Sequence, residues 1–203
     1  MNVTYAGIRK GYAHADRYMA REIAKLPLNK RNDQQIKEFF GEYQRLVLLG
    51  SGIDVGSELA YTMFSELSNM DYGFGLFEDV MPTMDSLKSK GISMGIISNY
   101  DGNMKDVCRD LGLSTFLSFI ITAEETGIAK PHPGIFIEAL KRMNIEARHS
   151  MHVGDQYDTD IIGATRAHIN PVLIDRDGYS QHLTAVNQIA SLTELIQLIS
   201  EWE

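Results

Sequence analysis

One cysteine, Cys108, occurs in 203 residues, so no intramolecular disulfide can form and no multi-cysteine metal site exists. Lys and Arg number 19 against 27 Asp and Glu, a net charge of −8, and there is no dense basic block. That balance argues against nucleic acid and anionic membrane as partners held by bulk attraction, but it leaves room for a local basic pocket that takes a phosphate. No apolar run approaches the roughly 20 residues of a membrane span. The first ten residues lack the apolar centre of a secretory signal. The expected location is the cytoplasm. Cys108 falls within a helical pattern, Lys105–Leu111, and is expected to be a buried thiol rather than a nucleophile.

What the chain does have is an ordinary globular composition, 44% hydrophobic and 23% charged, over a length that suits a core with a smaller accessory domain. Residues 9–67 read as helices. Tyr12, Ala15, Met19, Ile23 and Leu26 recur at helical spacing before Pro27. Asn32-Asp33 can cap a second helix that carries Ile36, Phe39, Phe40, Tyr43, Leu46 and Val47. A third helix over Gly56–Leu67 is expected to place Leu59, Ala60, Met63, Phe64 and Leu67 on one side. The glycines of Gly50–Gly56 imitate a dinucleotide-binding fingerprint, but helical patterns lie on both sides, and a helix–helix turn is the better reading.

The texture changes at Tyr72-Gly73-Phe74-Gly75, expected to be a linker between a helical domain, 1–75, and a second domain, 76–203. In the second domain, helices at Val80–Lys90, Asn103–Leu111, Pro133–Met143, Thr159–Ala167 and Leu192–Trp202 alternate with strands. The strands are Ile92–Ile97, Phe119–Thr122, Ser150–Val153 and Pro171–Ile174. Such alternation predicts an α/β fold, a Rossmann-like parallel sheet flanked by helices. Open α/β sheets place their ligands at the carboxyl ends of the strands, and two strands here end in suggestive residues.

The first, Ile92–Ile97, runs into Ser98-Asn99, where a hydroxyl and loop N–H groups can bind a phosphoryl oxygen or simply satisfy the loop. The second ends in Gly154-Asp155-Gln156-Tyr157-Asp158-Thr159-Asp160. Its three carboxylates suit a hard cation such as Mg²⁺, although Asp158 or Thr159 can equally cap the helix that follows. Between them, Lys130 precedes a proline and a helix. It is either a solvated surface lysine or a cation that neutralises transferring phosphoryl oxygens, and His132 beside it reads as a loop residue.

Taken together and in order, Ile-Ile-Ser-Asn, Gly-Ile-Ala-Lys-Pro-His-Pro-Gly-Ile-Phe and His-Val-Gly-Asp-Gln-Tyr-Asp-Thr-Asp-Ile-Ile-Gly-Ala resemble the haloacid dehalogenase-like (HAD) hydrolase superfamily. The preceding helical segment is similar to the bundle cap of its first subclass. The gap between Asp155 and Asp160 resembles the phosphatase and nucleotidase branch. The resemblance implies hydrolysis of a small phosphate ester with Mg²⁺. It gives Ser98, Asn99 and Lys130 to the phosphoryl group, with Ser98 and Lys130 as catalytic residues. Asp155 and Asp160 go to the metal, and the cap to substrate choice. It also exposes a departure: the family's first strand, which ends in Asp-x-Asp-Gly-Thr and carries the nucleophile, should precede the cap. Here no Asp occurs before Asp16, on a predicted cap helix; matching Thr4 to the motif's threonine puts Asn2 at the acid/base position. Three expectations follow. The chain is an impaired or altered phosphatase, a non-catalytic relative that binds a ligand or self-associates as a homodimer across an exposed sheet edge, or the product of a start within a longer reading frame.

Overall fold

The computed structural model describes residues 3–70, 73–100 and 102–200. Asn2, Tyr72 and Trp202, which figure in the expectations above, lie outside the described residues. The chain divides into two compact units, Met1–Tyr72 and Gly73–Glu203.

The first unit is helical. α1 (Tyr5–Lys25) starts where the Thr4 hydroxyl accepts the Gly7 N–H, and α2 (Asp33–Leu49) starts on a reciprocal pair of bonds between Asn32 and Gln35, a capping box. α3 is Ser57–Ser68. Aromatic rings hold the three together. Tyr18 stacks on the buried Phe39 at 5.6 Å and Phe40 on Phe64 at 4.3 Å between centroids. Asp16 accepts a hydrogen bond from the Tyr43 hydroxyl, tying α1 to α2. Of the apolar side expected for α3, Ala60 is buried and Phe64 meets α2, whereas Leu59, Met63 and Leu67 are 56%, 37% and 43% exposed. The Gly50–Gly56 segment connects helix to helix, as its flanking patterns predict.

The second unit alternates. α4 (Val80–Ser89), β1 (Met94–Ser98), α5 (Met104–Asp110), β2 (Leu117–Thr122), the short α6 (Ala123–Thr126) and α7 (Pro133–Met143) come first. Next are β3 (Met151–Gly154), a π-helical turn (Tyr157–Ile161), α8 (Ile162–Arg166), β4 (Asn170–Ile174), β5 (Asn187–Ile189) and α9 (Leu195–Ser200). Every strand pairing is parallel, as helical crossovers require. β5 is an addition to the sequence expectation. The helix expected over Thr159–Ala167 is instead the π turn followed by α8, and the last helix begins as a 3-10 turn at Leu192–Glu194.

The strands do not form one sheet. β1 pairs with β2, and β3 with β4 and then β5, giving two parallel sheets. Each has its own core. Ile121, Ile135, Phe136, Ala164 and Ile169 pack β2 against α7 and α8, and Val172, Ile189 and Leu195 pack β4 and β5 against α9. Among the described residues no strand precedes β1.

A clasp ties the beginning of this unit to its end. The Asp79 carboxylate, just before α4, takes both terminal nitrogens of Arg176 at 2.8 and 3.0 Å. It also accepts the Ser191 hydroxyl at 2.8 Å and the Leu192 N–H at 2.7 Å. The Arg176 guanidinium lies 4.1 Å from the centroid of the Phe77 ring.

Candidate functional site

Asp160 is the centre of the polar residues at the carboxyl ends of β1 and β3. It is 3% exposed, and three donors meet its carboxylate. Lys130 Nζ lies 2.6 Å and His152 Nε2 3.1 Å from Oδ1, and the Gln156 N–H donates to Oδ2 at 3.1 Å. Burial alone would raise this carboxyl. The His152 hydrogen bond and the positive charge of Lys130 outweigh it and hold the group at about 2. An ionised carboxylate can only accept, so Nε2 is the protonated nitrogen of His152. The His152 ring in turn stands edge-on to Phe136, 4.9 Å between centroids.

The backbone is cut to fit this contact. A Cβ on Gly154 would lie 2.2 Å from Asp160 Cγ, so only glycine lets the carboxylate rest against the end of β3. The turn that brings Asp160 round is the π-helical one, with the Thr159 hydroxyl bonded to Gln156 Oε1 at 3.0 Å.

Lys130 arrives on the loop between α6 and α7, and two devices place it. Gly127 ends α6 in the left-handed region, φ 67°, where a side chain would be strained. Asn99, one residue beyond β1, then grips the Lys130 backbone at both ends. Its Oδ1 accepts the Lys130 N–H at 2.8 Å and its Nδ2 donates to the Lys130 carbonyl at 3.0 Å. The Lys130–Pro131 peptide is cis, and His132 accepts the Gly134 N–H to cap α7. A chain of contacts therefore runs Asn99–Lys130–Asp160–Gln156, from the end of β1 to the end of β3.

The structure thus brings Asn99, Lys130 and Asp160 together directly. Ser98 closes β1, its hydroxyl accepting the Tyr100 N–H at 3.0 Å. Asp155 is exposed at the end of β3 and, with Lys130 and Asp160, lines one end of a cavity of about 950 Å³. Asp155, a carboxylate exposed at the end of β3, is of the chemistry that suits a hard cation, which typically keeps several waters and needs only one or two carboxylates plus substrate phosphate. Asp160 accepts Lys130 and His152 at Oδ1 and the Gln156 N–H at Oδ2, which leaves lone-pair capacity for a cation or its water. Among the described residues, no group of three or more His, Cys, Asp and Glu side chains is arranged around a metal position. His152 is not among the residues the sequence singles out; its signal is a histidine inside an apolar strand, which needs a polar partner. Cys108 is 1% exposed, and burial pushes its thiol up, away from reactivity.

A family model described as haloacid dehalogenase-like hydrolase matches residues 21–168. The chain belongs to that family. Among curated relatives, haloacid dehalogenase-like hydrolase domain-containing protein 3 of Danio rerio is 38% identical over 109 residues, covering 53% of this chain and 45% of the relative. Glyceraldehyde 3-phosphate phosphatase of Methanothermobacter thermautotrophicus is 32% identical over 131 residues, covering 59% of this chain and 58% of the relative. The haloacid dehalogenase-like chain thus spans about half the length of the curated relatives it matches. In fold it is similar to a HAD phosphatase from Thermococcus onnurineus, with a TM-score of 0.60 and 20% identity over 95% of this chain and 87% of that one. Among the described residues no helix is long and apolar enough to cross a membrane.

Proposed function

We propose that this haloacid dehalogenase-like hydrolase is of the phosphatase type and binds a small phosphate ester at the carboxyl ends of β1 and β3. The single observation that carries the reading is the half-buried Lys130, fixed at its backbone by Asn99 and at its ammonium by Asp160, facing a cavity that also reaches Asp155. A held ammonium neutralises phosphate oxygens without reorganising when the ester arrives. The Ser98 hydroxyl, whose oxygen accepts from Tyr100, keeps its own hydrogen to donate to a phosphate oxygen. Asp160 holds the Lys130 ammonium in place, and His152 braces Asp160. The relative named glyceraldehyde 3-phosphate phosphatase supports a small phosphorylated metabolite as substrate.

Asp155 would hold Mg²⁺, which when bound supplies further positive charge to the phosphoryl group. Residues 1–72 serve this reading as the substrate-selecting cap, and the protein works in the cytoplasm. None of Ser98, Asn99, Lys130, Asp155 and Asp160 is placed as a carboxylate nucleophile free of other duties, so turnover is expected to be slow compared with binding.

The test is phosphate-ester binding and hydrolysis with an aryl phosphate and Mg²⁺, in the wild type and in Lys130→Ala and Asp155→Asn. Lys130→Ala is expected to abolish binding, and Asp155→Asn to remove its Mg²⁺ dependence. Equal binding by all three proteins would overturn the reading. A second reading, a binding protein without turnover, is favoured by the division of the sheet, and binding without detectable hydrolysis would select it.

A further inference from the structure

Charge is unevenly spread along this acidic chain. Residues 1–31 hold seven of its 19 Lys and Arg but only two of its 27 acids, Asp16 and Glu22. Four of the seven, with His14, fall in line on α1. Lys10, His14, Arg17, Arg21 and Lys25 are three or four residues apart, so they share about 80° of the helix circumference over a length of about 22 Å. All five are exposed.

A solvated helix face usually interleaves acids with its bases, as α2 does where Arg45 pairs with Glu42. Beside this row stands one carboxylate, Glu22, 2.6 Å from Lys25, while Asp16 accepts the Tyr43 hydroxyl of α2. Among the described residues, the side chains of Lys10, Arg17 and Arg21 have no ion-pair partner. Arg17 gives its Nε hydrogen to the Ala13 carbonyl at 3.1 Å, which leaves both terminal nitrogens of its fork for another acceptor. Like charges four residues apart destabilise a helix, and Arg17 with Arg21 and Arg21 with Lys25 are such pairs. Burial and the charges of Arg17 and Lys10 together push the His14 imidazole below its ordinary value. The row therefore stands in a positive field that nothing on α1 offsets except Glu22.

These side chains border a cavity of about 430 Å³, lined by His14, Arg17, Tyr18, Arg21, Glu22 and Lys25. That volume suits a small ligand rather than a protein surface. Tyr18 is fixed by its ring, which stacks on Phe39 at 5.6 Å. Burial and the charges of Glu22 and Glu42 raise its phenol, so its hydroxyl stays protonated and can donate. Two guanidinium forks and a hydroxyl within about one turn match an anion with several acceptor oxygens, which a phosphate has. Donors spread from His14 to Lys25, about 16 Å, are more than one phosphate can reach. A long polyanion is disfavoured, because the rest of the chain carries 12 Lys and Arg against 25 acids and repels whatever runs past α1.

We infer that this side of α1 binds a small ligand carrying a chain of two or more phosphate groups, either an inorganic oligophosphate or the phosphate end of a nucleoside triphosphate. None of its residues takes part in the phosphate-ester site, so either reading can fail while the other stands.

The probe is inorganic tripolyphosphate, titrated calorimetrically into the full chain at constant ionic strength without Mg²⁺. It is expected to bind about tenfold or more tightly than orthophosphate, since linked phosphates engage the row together. Lys130→Ala should leave that affinity unchanged. The double variant Arg17→Gln/Arg21→Gln should lower it by about tenfold or more, with circular dichroism and aryl phosphate binding as in the wild type. ATP binding more tightly than tripolyphosphate would assign the ligand to the nucleotides, and equal or weaker binding to the inorganic chain. In the unmutated protein, tripolyphosphate should shield Arg17 and Arg21 from phenylglyoxal while the exposed Arg109 still reacts. Equal affinity for orthophosphate and tripolyphosphate, loss of binding in Lys130→Ala, unshielded Arg17 and Arg21, or tighter binding of an oligoglutamate peptide would each overturn the inference.

Discussion

The ammonium of Lys130 lies 2.6 Å from Oδ1 of Asp160, with the two side chains 13% and 4% exposed. Opposite charges this deeply buried depend on one another. Removing one leaves the other desolvated and unpaired, typically costing about 3–5 kcal/mol, whereas removing both is often tolerated. Lys130→Met should therefore lower the urea midpoint sharply, Asp160→Asn less so because His152 and Gln156 still bond the amide, and the double variant should recover much of the loss. Equilibrium unfolding of the four proteins as a double-mutant cycle checks this, and additive losses would sink it.

Asn99 touches Lys130 only through the backbone, yet sets where its side chain begins. Asn99→Ala removes two part-buried hydrogen bonds, for an expected cost of about 1–3 kcal/mol. It should also weaken phosphate-ester binding with Lys130 itself intact. Calorimetric titration with phosphate separates this from a purely structural effect: stability would fall in both cases, affinity only in the first.

At Gly154 the expected outcome is a steric one. A methyl group there would lie 2.2 Å from Asp160 Cγ, so Gly154→Ala must push the carboxylate off Lys130 or bend β3, at about 1–3 kcal/mol. Combined with Asp160→Gly, which empties the space, most of that cost should vanish. Thermal denaturation of the single and double variants reads the difference.

Acid should act through the clasp at Asp79. The bidentate Arg176 bond outweighs the effect of burial and, with the Leu192 N–H and Ser191 hydroxyl, lowers this carboxyl from 3.8 to about 2. Between those values the unfolded chain binds more protons than the native one, so the contribution is complete above about pH 4 and is lost as pH falls through the folded value. It amounts to roughly 2 kcal/mol. Asp79→Asn should therefore be less stable than wild type at pH 6, and the gap should narrow steadily toward pH 2. A gap independent of pH in thermal scans would contradict the assignment.

How much of this was written in the sequence depends on the kind of contact. β1, β3 and β4 show as short apolar runs because parallel strands with helices on both faces need no polar face. The Pro133–Met143 helix shows because proline opens it and its apolar period is regular. β5 has three residues, two of them polar, and carries no such pattern. Leu59, Met63 and Leu67 have helical spacing but stay exposed, since periodicity marks an apolar stripe without saying what meets it. Ser98, Lys130 and Asp160 stand out in the sequence by their positions after strands and before helices. The Asn99 grip on Lys130 spans 31 residues and needs two loops in register, and the His152 bond to Asp160 needs a strand to face a turn. Neither has a local signature.

Each sheet is assembled from neighbours in sequence, β1 with β2 within Met94–Thr122 and β3 to β5 within Met151–Ile189. Such local pairing forms early and fast. The contacts that join the two halves, Lys130 with Asp160 and Asp79 with Arg176, span longer stretches of chain and are expected to form later. Variants that break them should therefore speed unfolding while refolding proceeds at nearly the same rate.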